Sequence, residues 1–145
     1  MSVLLDTNIL LRISQPHSSQ APIAERALRV LRFRGENLQI VSQNLVEFWA
    51  VATRPIVENG LGFSPEMAGQ QLQSLKRLFT LLPEAPLQLE WERLVATENV
   101  SGKSIHDARL VAAMNVHGIP GILTFNMQDF TRFPGISVLD PRMVI

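Results

Sequence analysis

The chain has 145 residues, no cysteine, a formal net charge of zero, 46% hydrophobic residues and only 18% charged ones. That is long enough for one domain with a real core and too apolar for disorder, and it excludes disulfides, zinc–thiolate sites and thiol catalysis. The balanced charge excludes whole-molecule steering of nucleic acid, so any such binding must use a local patch.

In chain order, Val3–Leu5 is a short, wholly apolar run, as in a central parallel strand covered on both faces. A short helix is predicted over Asn8–Ile13, stopping before Pro16, and an amphipathic helix over Ala21–Arg34, ending near Gly35. Leu38–Val41 reads as a second buried strand, with Ser42 capping a helix that runs to Thr53 before Pro55. Ile56–Phe63, with Asn59-Gly60 and Gly62, reads as a loop. A helix starting at Ser64-Pro65-Glu66 runs to about Phe79, followed by a short strand at Thr80–Leu82 and a helix over Pro86–Val100. Ser104 then caps a helix over His106–His117 that ends at Gly118, with Asp107 closing a capping box. Gly121–Phe125 and Ile136–Leu139 read as the last strands.

Strands alternating with helices imply a single α/β domain over residues 1–145 with a mostly parallel sheet of four to five strands. The start of the chain shows no signal-peptide pattern, and no apolar run approaches the roughly 20 residues of a membrane span, which implies a soluble cytoplasmic protein without a membrane partner.

Acids in apolar surroundings carry the functional signal. Asp6 closes the first strand, Glu47 is the only charge in Asn44–Ala52, Asp107 shares a helical stripe with Leu110, Val111 and Met114, and Asp129 follows the Gly121–Phe125 strand. Buried acids are costly unless compensated. In a parallel sheet all four belong near the carboxyl ends of the strands, where ligands bind. Taken singly, Asp6 and Asp107 also suit helix caps, and Asn126 and Asp129 suit a turn. As a set they suit a hard divalent cation, which takes oxygen ligands and keeps several waters.

The ordered set Leu5-Asp6-Thr7-Asn8, Ser42 with Val46-Glu47-Phe48, His106–Ala113 and Leu123–Phe130 resembles the PIN-domain family. The likeness is to the type found as the VapC toxin of bacterial toxin–antitoxin pairs. The resemblance implies a three-layer α/β/α fold and an endoribonuclease dependent on Mg2+ or Mn2+, hydrolysing RNA phosphodiesters by metal-activated water. It implies Asp6, Glu47 and Asp107 as metal ligands, with Asp6 and Asp107 the direct ones, and Asp129 as a further catalytic acid. Thr7, Asn8, Ser42, Thr124 and Asn126 match polar positions around the ligands. Asn126 stands where the family often has Asp, which puts a second metal in question. A cognate antitoxin protein and a homodimer are implied partners.

Lys103 and Arg109 flank Asp107 and are placed to meet a substrate phosphate. The arginines at 26, 29, 32 and 34 read first as a solvated helix face, second as a phosphate or antitoxin surface. His106 reads as exposed or capping, and Phe48 and Trp49 as core. The Leu72, Leu75, Leu78, Phe79 and Leu82 run offers a groove for an antitoxin segment or a second copy. A receiver domain is disfavoured because neither Lys76 nor Lys103 follows a strand. A dehalogenase-type phosphatase is disfavoured by Asn8, where it needs Asp. A catalytically weak PIN domain binding RNA or protein is the alternative.

Overall fold

The computed structural model describes residues 1–145. Strands β1 (Ser2–Leu5), β2 (Asn37–Ile40), β3 (Thr80–Leu81), β4 (Gly121–Leu123) and β5 (Ser137–Leu139) form one sheet in the order β3-β2-β1-β4-β5. Every neighbouring pair is parallel. The helices are α1 (Thr7–Ile13), α2 (Ala21–Phe33), α3 (Ser42–Thr53), α4 (Pro65–Leu78), α5 (Gln88–Thr97) and α6 (Ser104–His117).

Side chains alternate across a strand, so β1 feeds two cores. Val3 and Leu5 pack with Leu38, Ile40 and Leu123 beneath α1 to α4, in a cluster that includes Leu10, Leu28, Phe48, Leu75 and Phe79. Leu4 faces the other way and packs with Ile122, Leu94 and the apolar side of α6, including Leu110, Val111 and Met114. Both sheet faces are thus covered, which is why Val3–Leu5 and Gly121–Leu123 at the centre of the sheet are apolar and buried throughout and why the layers run α/β/α. No helix is long and apolar enough to cross a membrane.

The boundaries move at several ends, for local reasons. The first helix begins at Thr7 because Asp6 caps it, its Oδ1 accepting from Thr7 N at 2.7 Å. The helix expected over Pro86–Val100 is shorter, Gln88–Thr97, and Ile56–Glu58 inside the expected loop forms one 3-10 turn. Two capping expectations fail. Ser42 is the first helical residue of α3 and Val41 is its cap, held by Asn44, whose Oδ1 accepts from Val41 N at 2.8 Å. Ser104 is likewise already helical, and Lys103 occupies the cap position without a side-chain bond, so the capping box with Asp107 does not form.

The core expectations divide as well. Phe48 is fully buried, but Trp49 on the next position of α3 is 37% exposed, with its ring against Gly69 of α4. In the leucine run Leu75 and Phe79 enter the core and Leu78 stays exposed, so most of that run is spent on packing. Beside Leu78, the exposed apolar side chains on these two helices are Val46 and Trp49 on α3 and Met67 on α4.

Candidate active site

The strand order changes direction at β1. The chain moves outward to β2 and β3, then returns to add β4 and β5 on the other side. Ligands of open parallel sheets bind at such a switch point, beyond the carboxyl ends of the strands. Here Leu5 pairs with Leu123, and Asp6 N donates to Leu123 O at 3.0 Å. The two residues that emerge side by side are therefore Asp6 and Thr124.

They bond directly. Thr124 Oγ1 donates to Asp6 Oδ2 at 2.7 Å, while Thr7 N occupies Oδ1. Asp6 is only 9% exposed. Burial pushes its carboxyl up to about 6, the bonds from Thr124 and Thr7 pull the other way, and the charges of Glu47 and Asp129 push it up further.

Around this pair the polar residues interlock. Thr7 Oγ1 donates to Glu47 Oε1 at 2.7 Å. Asn8 Nδ2 donates to Thr124 Oγ1 at 3.3 Å, and its Oδ1 accepts from Phe125 N at 3.4 Å. Asn126 joins through its backbone, donating to Thr124 Oγ1 at 3.0 Å. Asp129 ends the 3-10 turn Met127–Asp129 that follows.

Asp107, in the first turn of α6, is half-buried and accepts no hydrogen bond from any side chain. Its carboxyl is pushed up to about 7, first by burial and then by the charges of Asp129, Asp6 and Glu47. The four expected acids therefore share one electrostatic environment at the switch point, with no cation of the protein balancing them.

Not every expected residue joins them. Ser42 bonds through its hydroxyl to Glu84, in the loop after β3, and so faces away from Asp6. Lys103 is exposed and forms no ion pair. Arg109 is exposed and donates to Gln43 Oε1 at 3.0 Å, which ties it to Glu47 through that amide. Of the arginines on and just after α2, Arg32 and Arg34 are taken up elsewhere. Arg32 lies 5.3 Å from the Phe79 ring centroid and donates to Leu78 O, and Arg34 donates to Ile145 O.

Two site residues escaped the sequence reading. Asn44 is fully buried and ties three segments together: besides capping α3, its Nδ2 donates to Leu5 O at 3.0 Å and Thr7 Oγ1 at 3.3 Å. Gln43 is 8% exposed and bonds both Glu47 and Arg109. The available signal was two consecutive amides opening an otherwise apolar helix, since buried amides must find partners.

The donors suit a hard divalent cation. All are carboxylate oxygens, the neighbouring acids raise the proton affinity of Asp6 and Asp107, and Asp107 has no competing donor. No three of them converge closely enough to cage an ion by themselves. That suits a cation such as magnesium, which binds through one or two carboxylates and retains its waters.

No protein-family profile matches the chain. It is 29% identical over 139 residues to Ribonuclease VapC24 of Mycobacterium tuberculosis, covering 94% of each chain. Among solved structures it superposes on VapBC2 of Rickettsia felis, bound to a DNA fragment from their promoter, with a TM-score of 0.72 at 16% identity, over 97% of this chain and 98% of that one. It also superposes on Mycobacterium tuberculosis VapC20, a sarcin-ricin loop cleaving toxin, with a TM-score of 0.55 at 17% identity, over 83% and 86% of the two chains. The resemblance to VapC-type PIN-domain proteins holds along the whole chain, and the fold is theirs.

Proposed function

We propose that this chain is a VapC-type PIN-domain endoribonuclease, the toxin of a toxin–antitoxin pair, working with Mg2+ or Mn2+. The observation that carries this reading is the uncompensated acid group at the switch point, where Asp6 and Asp107 are pushed up to about 6 and about 7. Strongly perturbed acids gathered in a crevice mark sites that await a charged ligand. The full-length similarity to a named ribonuclease supplies the reaction class.

In this reading Asp6 and Asp107 bind the cation directly, Glu47 holds it through water, and Asp129 stands outside them. A bound divalent cation supplies positive charge toward phosphate oxygens and makes water more acidic. The protein's own part is orientation and proton acceptance. Thr124 and Thr7 fix the two oxygens of Asp6, and Thr7 fixes one oxygen of Glu47. Asp107, without a donor, is the acid freest to take a proton from water. Asn8 and the Asn126 backbone hold Thr124 in place. Lys103 and Arg109 stand at the start of α6 to receive a backbone phosphate. Ser42 holds the Glu84 loop.

The proposed partners are an RNA substrate, an antitoxin protein and a second copy of the chain. Solved relatives of this fold are toxin–antitoxin complexes, and the exposed Val46, Trp49 and Met67 offer apolar surface for protein contact. Absence of cysteine and of any long apolar helix suits a cytoplasmic location.

The test is incubation of purified protein with a mixed RNA pool in Mg2+, Mn2+ or EDTA, beside Asp6→Asn. Cuts that need the metal and vanish in the variant support the reading, and sequencing their ends identifies the target. Equal cleavage by both proteins would refute the site. RNA binding without any cleavage would favour a binding module on the same fold.

A further inference from the structure

Gln43 is the second residue of α3 and almost completely buried at 8% exposure. Burying an amide costs free energy unless each of its groups is paired, and here all are. Nε2 donates to Glu47 Oε2 at 3.1 Å and to His106 O at 2.8 Å, while Oε1 accepts from Arg109 Nη1 at 3.0 Å. The amide can face only one way, since a carboxylate and a carbonyl only accept and a guanidinium only donates. One neutral group therefore stands between an anion and a cation, bonded to each.

Its removal would leave Arg109 and Glu47 facing each other across the vacated space. Arginine and carboxylate form strong, often bidentate pairs, and the carboxylate of such a pair would here be half-buried. An Arg109–Glu47 pair would disable two functions together. Glu47 would carry a resident counter-ion in place of the metal, and Arg109 would be turned from the substrate. The Gln43 amide instead holds Glu47 with an uncharged donor, leaving its negative charge available, and holds Arg109 with an uncharged acceptor, leaving its positive charge available.

We propose that Gln43 is a positioning residue that keeps Arg109 from neutralising Glu47, so that one stays free for phosphate and the other for the cation. The proposal rests on the nuclease reading above.

The test titrates Mn2+ calorimetrically into RNA-free protein for wild type, Gln43→Ala, Arg109→Ala and the double variant, with kcat and KM for RNA alongside. Gln43→Ala should bind Mn2+ about tenfold more weakly, the usual scale for losing a partner of a metal ligand, and should also show a raised KM. Arg109→Ala should bind Mn2+ as wild type does. The double variant should recover most of the lost Mn2+ affinity, because the competing cation has gone, while its KM stays high. A merely structural role would give no such recovery. Gln43→Asn, whose amide is one methylene too short to span both partners, serves if circular dichroism shows that the alanine variant is unfolded.

Unchanged Mn2+ affinity in the Gln43 variants, or a double variant as weak as Gln43→Ala, overturns the proposal while a wild type that binds metal and cuts RNA keeps the nuclease reading. A wild type that neither binds Mn2+ nor cuts RNA removes both.

Discussion

Glu90 and Asp107 occupy the same kind of place, the first turn of α5 and of α6, two helices that pack against each other. The positive end of each helix should favour the charged carboxylate in both. Their surroundings send them in opposite directions. Glu90 accepts from Arg93 Nε at 2.7 Å and Arg93 Nη2 at 2.8 Å, and from Asn115 Nδ2 at 2.7 Å. The Arg93 bonds, chiefly, hold it down at about 2. Asp107 has burial and three neighbouring acids instead and is held up at about 7. An acid that serves the structure is compensated within the structure. An acid left uncompensated at a half-buried position has its compensation still to come, from a ligand.

The sharpest way to break this comparison is to neutralise the two acids separately. Asp107→Asn should lower RNA cleavage on the order of 100-fold or more, the scale of losing an electrostatic group at a reacting centre, while Glu90→Gln should leave cleavage at the wild-type rate; both are read from initial rates on one RNA.

A second test concerns what holds the acids in place. Asn44 is buried and bonds Val41, Leu5 and Thr7, so Asn44→Ala leaves several buried groups without partners. It should cost about 2–3 kcal/mol in urea unfolding, more than any single acid variant, and should reduce cleavage even where the protein stays folded.

Stability against pH sharpens the contrast because the two acids have opposite signs. Asp6 and Asp107 bind protons more tightly when folded, about 6 and about 7 against 3.8 unfolded. Between about pH 4 and pH 7 the folded state thus holds more protons than the unfolded one, and stability falls as pH rises. Glu90, at about 2 folded against 4.5 unfolded, contributes stability that is present above pH 4.5 and lost as pH falls toward 2. In EDTA the melting temperature should accordingly be lower at pH 8 than at pH 5 by about 3–5 °C. Mn2+ at pH 8 should restore it by binding the folded form. Asp107→Asn should flatten the fall and lose much of the response to Mn2+.

The smallest expected effect is on Glu90→Gln itself. Its ion pair with Arg93 lies at the surface, where solvent screens such pairs, so the melting temperature at pH 7 should drop by only about 1–2 °C. A larger drop would mean that the Asn115 bond is a principal clamp between α5 and α6.

The fold was readable because its signals are local. Short apolar runs at regular distances from amphipathic stretches set a parallel α/β sheet, and Asp6, Glu47, Asp107 and Asp129 stood out as charges in apolar surroundings. Three stand after strands or at helix starts and Glu47 about a helical turn beyond the second strand, which was enough to place them at one end of the sheet. The failures are equally physical. Ser42 and Ser104 have the right chemistry for caps, yet the chain bends one residue earlier, and the hydroxyls fall inside the first helical turn. Trp49 sits beside the buried Phe48 but packs its ring toward Gly69 of α4, because adjacent helical residues face different ways.

By itself, then, the order of residues determined the layers, the strand direction and the identity of the acids, since periodicity and burial cost act within a few residues. Only the tertiary structure decided that Thr124 reaches Asp6, that Ser42 turns to Glu84, and that Gln43 stands between Arg109 and Glu47. Those are hydrogen bonds between segments far apart in the chain. A donor's local sequence says that it needs a partner, and the packing of the helices around the sheet determines which one it meets.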